Sequence, residues 1–163
     1  MVTIKDLFHT GYIIEDIEAS MASLTATFGY SWAEVADVTR SVETEQGMRL
    51  RRSLVTYSQE GPHHVELLEL LEDTAWQTMP RGPGLPHLGY WSEDFDEDIA
   101  QLVRAGFKLY MRDTNATTAV HYSDAFGYYV ELVNARDRPA IERWIGGGPL
   151  VFGPGSLGGV PAA

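Results

Sequence analysis

Apolar and polar positions follow the same rhythm twice along this chain. From Asp6 to Ile14, "DLFHTGYII" is dense in aromatic and β-branched residues and predicts a buried strand. Asp16 then stands as an N-cap, Ile17, Met21 and Leu24 recur at helical spacing, and Gly29 stops the helix. Three further runs, "SWAEVADVT", "MRLRRSLVTYS" and "HHVELLELLE", are separated by polar or turn-forming segments such as "SQEGP" and predict strands. The first half therefore reads β-α-β-β-β. The second half repeats it: "LPHLGYWS" as a strand, "DFDEDIAQLVRAG" as a helix ending at Gly106, then "FKLYMRD", "TAVHYSD" and "GYYVELVN" as strands.

The repetition extends to individual residues. A shift of 78 positions superimposes Leu7 on Leu85, His9 on His87, Gly11 on Gly89, Tyr12 on Tyr90, Glu15 on Glu93 and Asp16 on Asp94. The closing strands share "VEL", at Val65–Leu67 and Val130–Leu132, with the shift reduced to 65. The second module is thus 13 residues shorter in its middle, where the first carries "VADVTRSVETEQGMRL", and extra length in one half of a pseudo-symmetric fold predicts a substrate loop. "TMPRGPGLP", dense in proline and glycine, marks the module boundary. The expected organisation is α+β, with βαβββ modules over 1–78 and 79–140. A glycine- and proline-rich tail over 141–163 lies outside regular structure, mobile or docked across a groove. The linker lets the modules pair within one chain or exchange with a second copy to form a homodimer.

Composition narrows the function. With 12 basic against 23 acidic residues, the formal net charge is −11, which repels phosphate backbones and argues against nucleic-acid binding. No apolar run approaches the roughly 20 residues that span a bilayer, so no membrane partner is expected. The start "MVTIKDLFHT" lacks the basic-then-apolar form of a secretory signal, and no cysteine is present to form disulfides or thiolate metal sites. Together these features predict a cytoplasmic protein.

Two equivalent pairs carry the chemistry: His9 with His87, and Glu66 with Glu131. A carboxylate within an apolar strand costs several kcal/mol if buried without a partner. A lone strand histidine is ordinarily a satisfied core or surface residue, and a lone strand glutamate ordinarily faces solvent, as expected for Glu69 and Glu72. The repeat changes that reading. Twofold-related strands bring equivalent positions together near their axis, so two imidazoles and two carboxylates converge on one point. Such a set suits one divalent Ni, Co, Zn, Fe or Mn ion per cleft.

The paired modules, the "H-x-G" openings and the "VEL" closings resemble the vicinal oxygen chelate family, which includes glyoxalase I, over nearly the whole chain up to about Ala140. The resemblance implies a curved, eight-stranded mixed sheet around a central cleft, with His9, Glu66, His87 and Glu131 as ligands of a divalent metal. The four intact positions favour its isomerase and epimerase branches. "TEQGMRL" also resembles the "E-x-G-V" segment of methylmalonyl-CoA epimerases, which makes Glu45 an acid/base candidate alongside Glu131 and Glu66; an exposed turn acid is the plainer reading. The implied reaction removes a proton α to a carbonyl of a small molecule offering two vicinal oxygens. Trp91, Tyr90, Tyr12, Phe126 and Tyr128 are candidates for an apolar wall that tunes the base. Arg51, with Arg49 and Arg52, would meet a CoA phosphate or solvate a sheet edge. Two alternatives share the fold: a non-catalytic protein sequestering an antibiotic of the bleomycin type, and a metal-dependent oxygenase.

Overall fold

The computed structural model describes residues 1–71 and 87–151. The first module contributes β1 (Leu7–Ile14), α1 (Ile17–Phe28), β2 (Ala36–Thr44), β3 (Gly47–Tyr57) and β4 (His64–Leu70). The second contributes β5 (His87–Ser92), α2 (Phe95–Arg104), β6 (Lys108–Asp113), β7 (Thr118–Ser123) and β8 (Tyr128–Asn134), followed by α3 (Arg138–Ile145). Local chemistry sets the helix ends. Asp16 Oδ1 accepts a hydrogen bond from Ala19 N at 2.9 Å, and Gly29 leaves α1 at φ 78°, where a Cβ would be strained. Glu69 does not face solvent as expected: its Oε2 accepts from Ile17 N at 2.8 Å and anchors the first turn of α1 to β4.

The eight strands close into a barrel in the order β1-β4-β3-β2-β6-β7-β8-β5. Within each module the first and last strands run parallel, β1 beside β4 and β5 beside β8. The modules meet at two antiparallel seams, β1 with β5 and β2 with β6, both formed within one chain. Inward-facing residues, among them Val38, Val42, Val55, Tyr57, Leu68, Trp91, Met111, Tyr129 and Val133, make the main core. On the outer face, α2 lays Phe95 and Ile99 over Ala119, Val130 and Leu132.

Three expectations are corrected. The second strand starts at Ala36 rather than Ser31, because only Trp32 of the preceding stretch bridges to the sheet, at Ser58. The 13-residue excess is no loop: β2 and β3 pair without interruption from Ala36–Val55 to Thr44–Gly47, a long hairpin closed by a tight turn at Glu45 and Gln46. The region after Ala140 is not irregular throughout. Ile141, Trp144 and Ile145 recur at helical spacing and bury against the core as part of α3, and Trp144 Nε1 donates to Glu34 O at 2.8 Å. The linker and the tail beyond Val151 lie outside the described residues.

One outer-face residue has a consequence for acid stability. His121 is fully buried on β7, opposite Val130 and Leu109, and neither ring nitrogen has a hydrogen-bond partner among the described residues. Burial pushes its pKa from 6.5 to about 4. Between those values the unfolded chain takes up a proton that the folded chain refuses, so stability falls as pH drops from 6.5 towards 4. The full window amounts to about 3 kcal/mol at most. His121→Leu is expected to lose markedly less stability between pH 7 and pH 4.5 in urea unfolding; parallel losses in both proteins would contradict it.

Candidate metal centre

The "H-x-G" motif is explained at the β1–β5 seam. Its register places His9 opposite Gly89 and Gly11 opposite His87. Each glycine also lies beside the glutamate of its own module, Gly11 beside Glu66 and Gly89 beside Glu131. Each module's glycine thus occupies the space between its own carboxylate and the other module's imidazole. A Cβ on Gly89 would sit 1.8 Å from His9 Cε1; on Gly11 it would sit 2.0 Å from His87 Cε1 and 2.6 Å from Glu66 Oε2. None of these three distances is sterically possible. The glycines are required by what they face.

All four candidate ligands are buried, with His9 at 0%, His87 at 1%, Glu131 at 3% and Glu66 at 4% exposure. One donor atom from each lies within 4.8 Å of every other. His9 Nε2 is 3.2 Å from His87 Nε2, 3.4 Å from Glu66 Oε2 and 3.5 Å from Glu131 Oε2. His87 Nε2 is 2.8 Å from Glu66 Oε2 and 3.5 Å from Glu131 Oε2. Ligands bound about 2.0–2.2 Å from one ion, at tetrahedral to octahedral angles, stand about 2.8–3.6 Å apart. The five separations fall within that span, and the nitrogen and oxygen donor set fits a divalent first-row metal.

Electrostatics in the metal-free cluster point the same way. Burial pushes Glu131 up, but hydrogen bonds from His87 and His9, with the charge of Arg51, hold it well below the usual carboxylate range. Glu66 is likewise held down by His9 and His87 against the effect of burial. Burial lowers His87, yet its bonds to Glu131 and Glu66 outweigh this and raise it to about 9. The carboxylates thus hold positive charge at the centre even without an ion. Tyr57 donates its hydroxyl to Glu66 Oε1 at 2.5 Å, and burial with the charge of Glu66 keeps that phenol protonated.

A cavity of about 30 Å³ adjoins the cluster, lined by Glu66, Glu131, Tyr57, Arg40, Arg51 and Ser53 together with Ile141, Trp144 and Leu150. Arg51 faces inward, 3.8 Å from Glu131 Oε1, whereas Arg52 pairs with Asp37 on the outside at 2.7 Å. The expected arginine cluster is therefore split by strand alternation, and Arg51 is not a surface residue. The expected aromatic wall is split as well. Trp91 is in the core, stacked on Phe8 at 3.7 Å, and Phe8 in turn meets the His9 ring edge-on at 4.4 Å. Tyr12 lines a groove beneath α1, Tyr90 and Tyr128 pack with the α2 layer, and Phe126 is 68% exposed, so these four stand away from the cluster. Glu45 sits on the exposed β2–β3 turn beside Lys108, Tyr110, Tyr122 and Asp124. Sequence reasoning passed over Tyr57, Thr118 and Arg40. A signal existed for Arg40, which alternates with the buried Val38 and Val42 and so had to face inward.

Two imidazoles and two carboxylates at the dyad of paired βαβββ modules define a glyoxalase-type fold with a metal-site-like centre. The family model of the Glyoxalase/Bleomycin resistance protein/Dioxygenase superfamily matches residues 8–128, and the chain belongs to that superfamily. No curated protein sequence matches significantly. Among solved structures, methylmalonyl-CoA epimerase from Mycobacterium tuberculosis is 18% identical, with a TM-score of 0.53 over 82% of this chain and 92% of that one. The hypothetical protein BH1468 from Bacillus halodurans C-125 is also 18% identical, with a TM-score of 0.54 over 78% and 92% of the two chains. A variant of Streptomyces coelicolor methylmalonyl-CoA epimerase, in complex with 2-nitronate-propionyl-CoA, is 23% identical, with a TM-score of 0.52 over 82% and 98%. These likenesses establish a shared fold. Among the described residues, no helix is long and apolar enough to cross a membrane.

Proposed function

We propose that the protein is a metal-dependent isomerase or epimerase that moves a proton on the carbon next to a carbonyl. The observation that carries this reading is the convergence of His9, Glu66, His87 and Glu131 on one buried point beside a cavity. A divalent ion held by these four would supply Lewis-acid stabilisation of negative charge on a substrate oxygen.

The chain's own groups do the rest. Glu66 and Glu131 come from different modules and line the same cavity, so the carboxylate that takes the α-proton, protonated by that step, gives it back itself or passes it to the other carboxylate for return from the opposite side. Delivery to the opposite face of the same carbon gives epimerisation; delivery to the neighbouring carbon gives isomerisation. Both glutamates are held ionised, the form a base requires, and the Tyr57 hydroxyl donates a hydrogen bond to Glu66 Oε1 that orients this carboxylate. The buried position of the cluster beneath α3 excludes bulk water from the reacting carbon. Glu45 has no part in this scheme, because its exposed turn offers no contact with the cluster. The fold shared with methylmalonyl-CoA epimerases supports 2-methyl-branched acyl-CoA thioesters as one substrate group to try, and α-keto hemithioacetals as another.

The test is proton exchange in deuterated water. Metal-loaded protein is expected to catalyse loss of the α-hydrogen from one of these substrates without oxygen uptake, and Glu131→Gln is expected to lower the rate by about 100-fold or more. Oxygen consumption with C–C cleavage would indicate an oxygenase instead. Tight antibiotic binding without exchange would indicate a sequestering protein.

A further inference from the structure

The cavity beside the cluster is too small for the reaction proposed above. At about 30 Å³ it admits about two waters. Sites that enclose a hemithioacetal or the acyl end of a thioester measure about 300–1,000 Å³. Space must therefore open next to the cluster. The strand wall is a costly place for it, because the eight strands are paired all the way round and parting any two breaks ladder hydrogen bonds. α3 stands outside that ladder. Since the wall is closed, a helix that lines the interior cavity, as α3 does with Ile141 and Trp144, reaches it only through an open end of the barrel.

The attachments of α3 suit reversible release. Its inner face, Ala140, Ile141, Trp144 and Ile145, is buried, while Arg138, Glu142 and Arg143 face solvent. Among the described residues, its one side-chain hydrogen bond to the barrel runs from Trp144 Nε1 to Glu34 O at 2.8 Å. The Trp144 ring also meets Tyr57 edge-on at 5.5 Å, and the Arg138 guanidinium lies 5.7 Å from the Trp91 ring. Turns flank the helix on both sides. The 3₁₀ turn Ala135–Asp137 joins it to β8, and Gly146, Gly147 and Gly148 follow it, with Gly147 at φ 87°. We propose that α3 is a hinged lid on the metal centre, with Trp144 as its latch. Closed, as in this structure, it shuts the four candidate ligands away from water; open, it admits the substrate through the end of the barrel that it fills. Closure also sets Trp144 against Tyr57, the residue that orients Glu66. The need for entry rests on the function proposed above, whereas the motion itself does not.

Hydrogen exchange of the full chain, without substrate or added metal, reads the motion directly. The amides of Glu142 to Ile145 are expected to exchange at least about 100-fold faster than those of β3 and β8, and without acceleration by low concentrations of urea, the mark of a local opening. Trp144→Phe keeps a ring beside Tyr57 but removes the bond to Glu34. It is expected to speed exchange in α3 by about a further 5-fold relative to the strands. Entry is read with cobalt-loaded protein and benzohydroxamate, which offers two vicinal oxygens and is larger than the closed cavity. Its association rate, followed in the visible spectrum, is expected to rise by about the same factor in the variant. Exchange of α3 in step with the strands of the unmodified protein would overturn the lid. So would an association rate that Trp144→Phe leaves unchanged, since the ligand would then enter elsewhere. Protein that takes up no cobalt would count against the metal centre of the proposed function, while exchange in α3 still judges the lid.

Discussion

Gly89→Ala is expected to abolish the metal centre and to destabilise the barrel by about 3 kcal/mol or more, although it adds only one methyl group. The added Cβ would lie within 2.3 Å of three atoms of the His9 ring. That ring has no room to retreat. It is fully buried, Phe8 packs against it at 4.4 Å and Tyr57 at 5.3 Å, and the Gly89 backbone is fixed by pairing on both sides. Relief requires either spreading the β1–β5 seam or expelling His9, and both destroy the ligand geometry. Gly11→Ala should do the same to His87 and Glu66. Metal content and thermal unfolding measured together are decisive: stoichiometric metal with an unchanged melting temperature in either variant would disprove this account of the motif.

Chelation should produce the second large effect. Restoring Ni, Co or Zn to chelated protein at about 1,000 times the dissociation constant is expected to add about 4 kcal/mol, or about 8–16 °C in melting temperature for a chain of this size. Glu131→Gln, which replaces an anionic ligand by a neutral one, should remove most of that shift. The metal response should also grow with pH. His87, raised to about 9 in the metal-free cluster, must give up its proton to coordinate. Affinity is therefore expected to rise between pH 7 and pH 9 and to level off above, with protons released on binding. An identical shift in the glutamine variant, or none with any of Ni, Co, Zn, Fe and Mn, would refute the ligand assignment.

The repeat makes the fold and the four candidate ligands legible. Two modules that differ at most positions still share a histidine, a glycine and a glutamate at matching places, and only a common geometric need explains that. Residues outside the repeat were harder to place. Arg40 and Tyr57 belong to the β2–β3 hairpin, where the modules differ in length, so no internal comparison pointed to them. The aromatic wall was assigned by residue type, but strand alternation sends Tyr12 and Tyr90 outward while His9 and His87 point inward. The glycines that follow α3 mask the short apolar spacing of Ile141, Trp144 and Ile145 in the sequence.

Each half of the chain donates one nitrogen and one oxygen to the centre, across the seam that joins the halves. An ion bound there acts as a rivet through both modules rather than as a guest of either. Its off-rate should consequently track the breaking of the whole barrel and not the breathing of a loop, which makes slow metal exchange a direct clock for global unfolding.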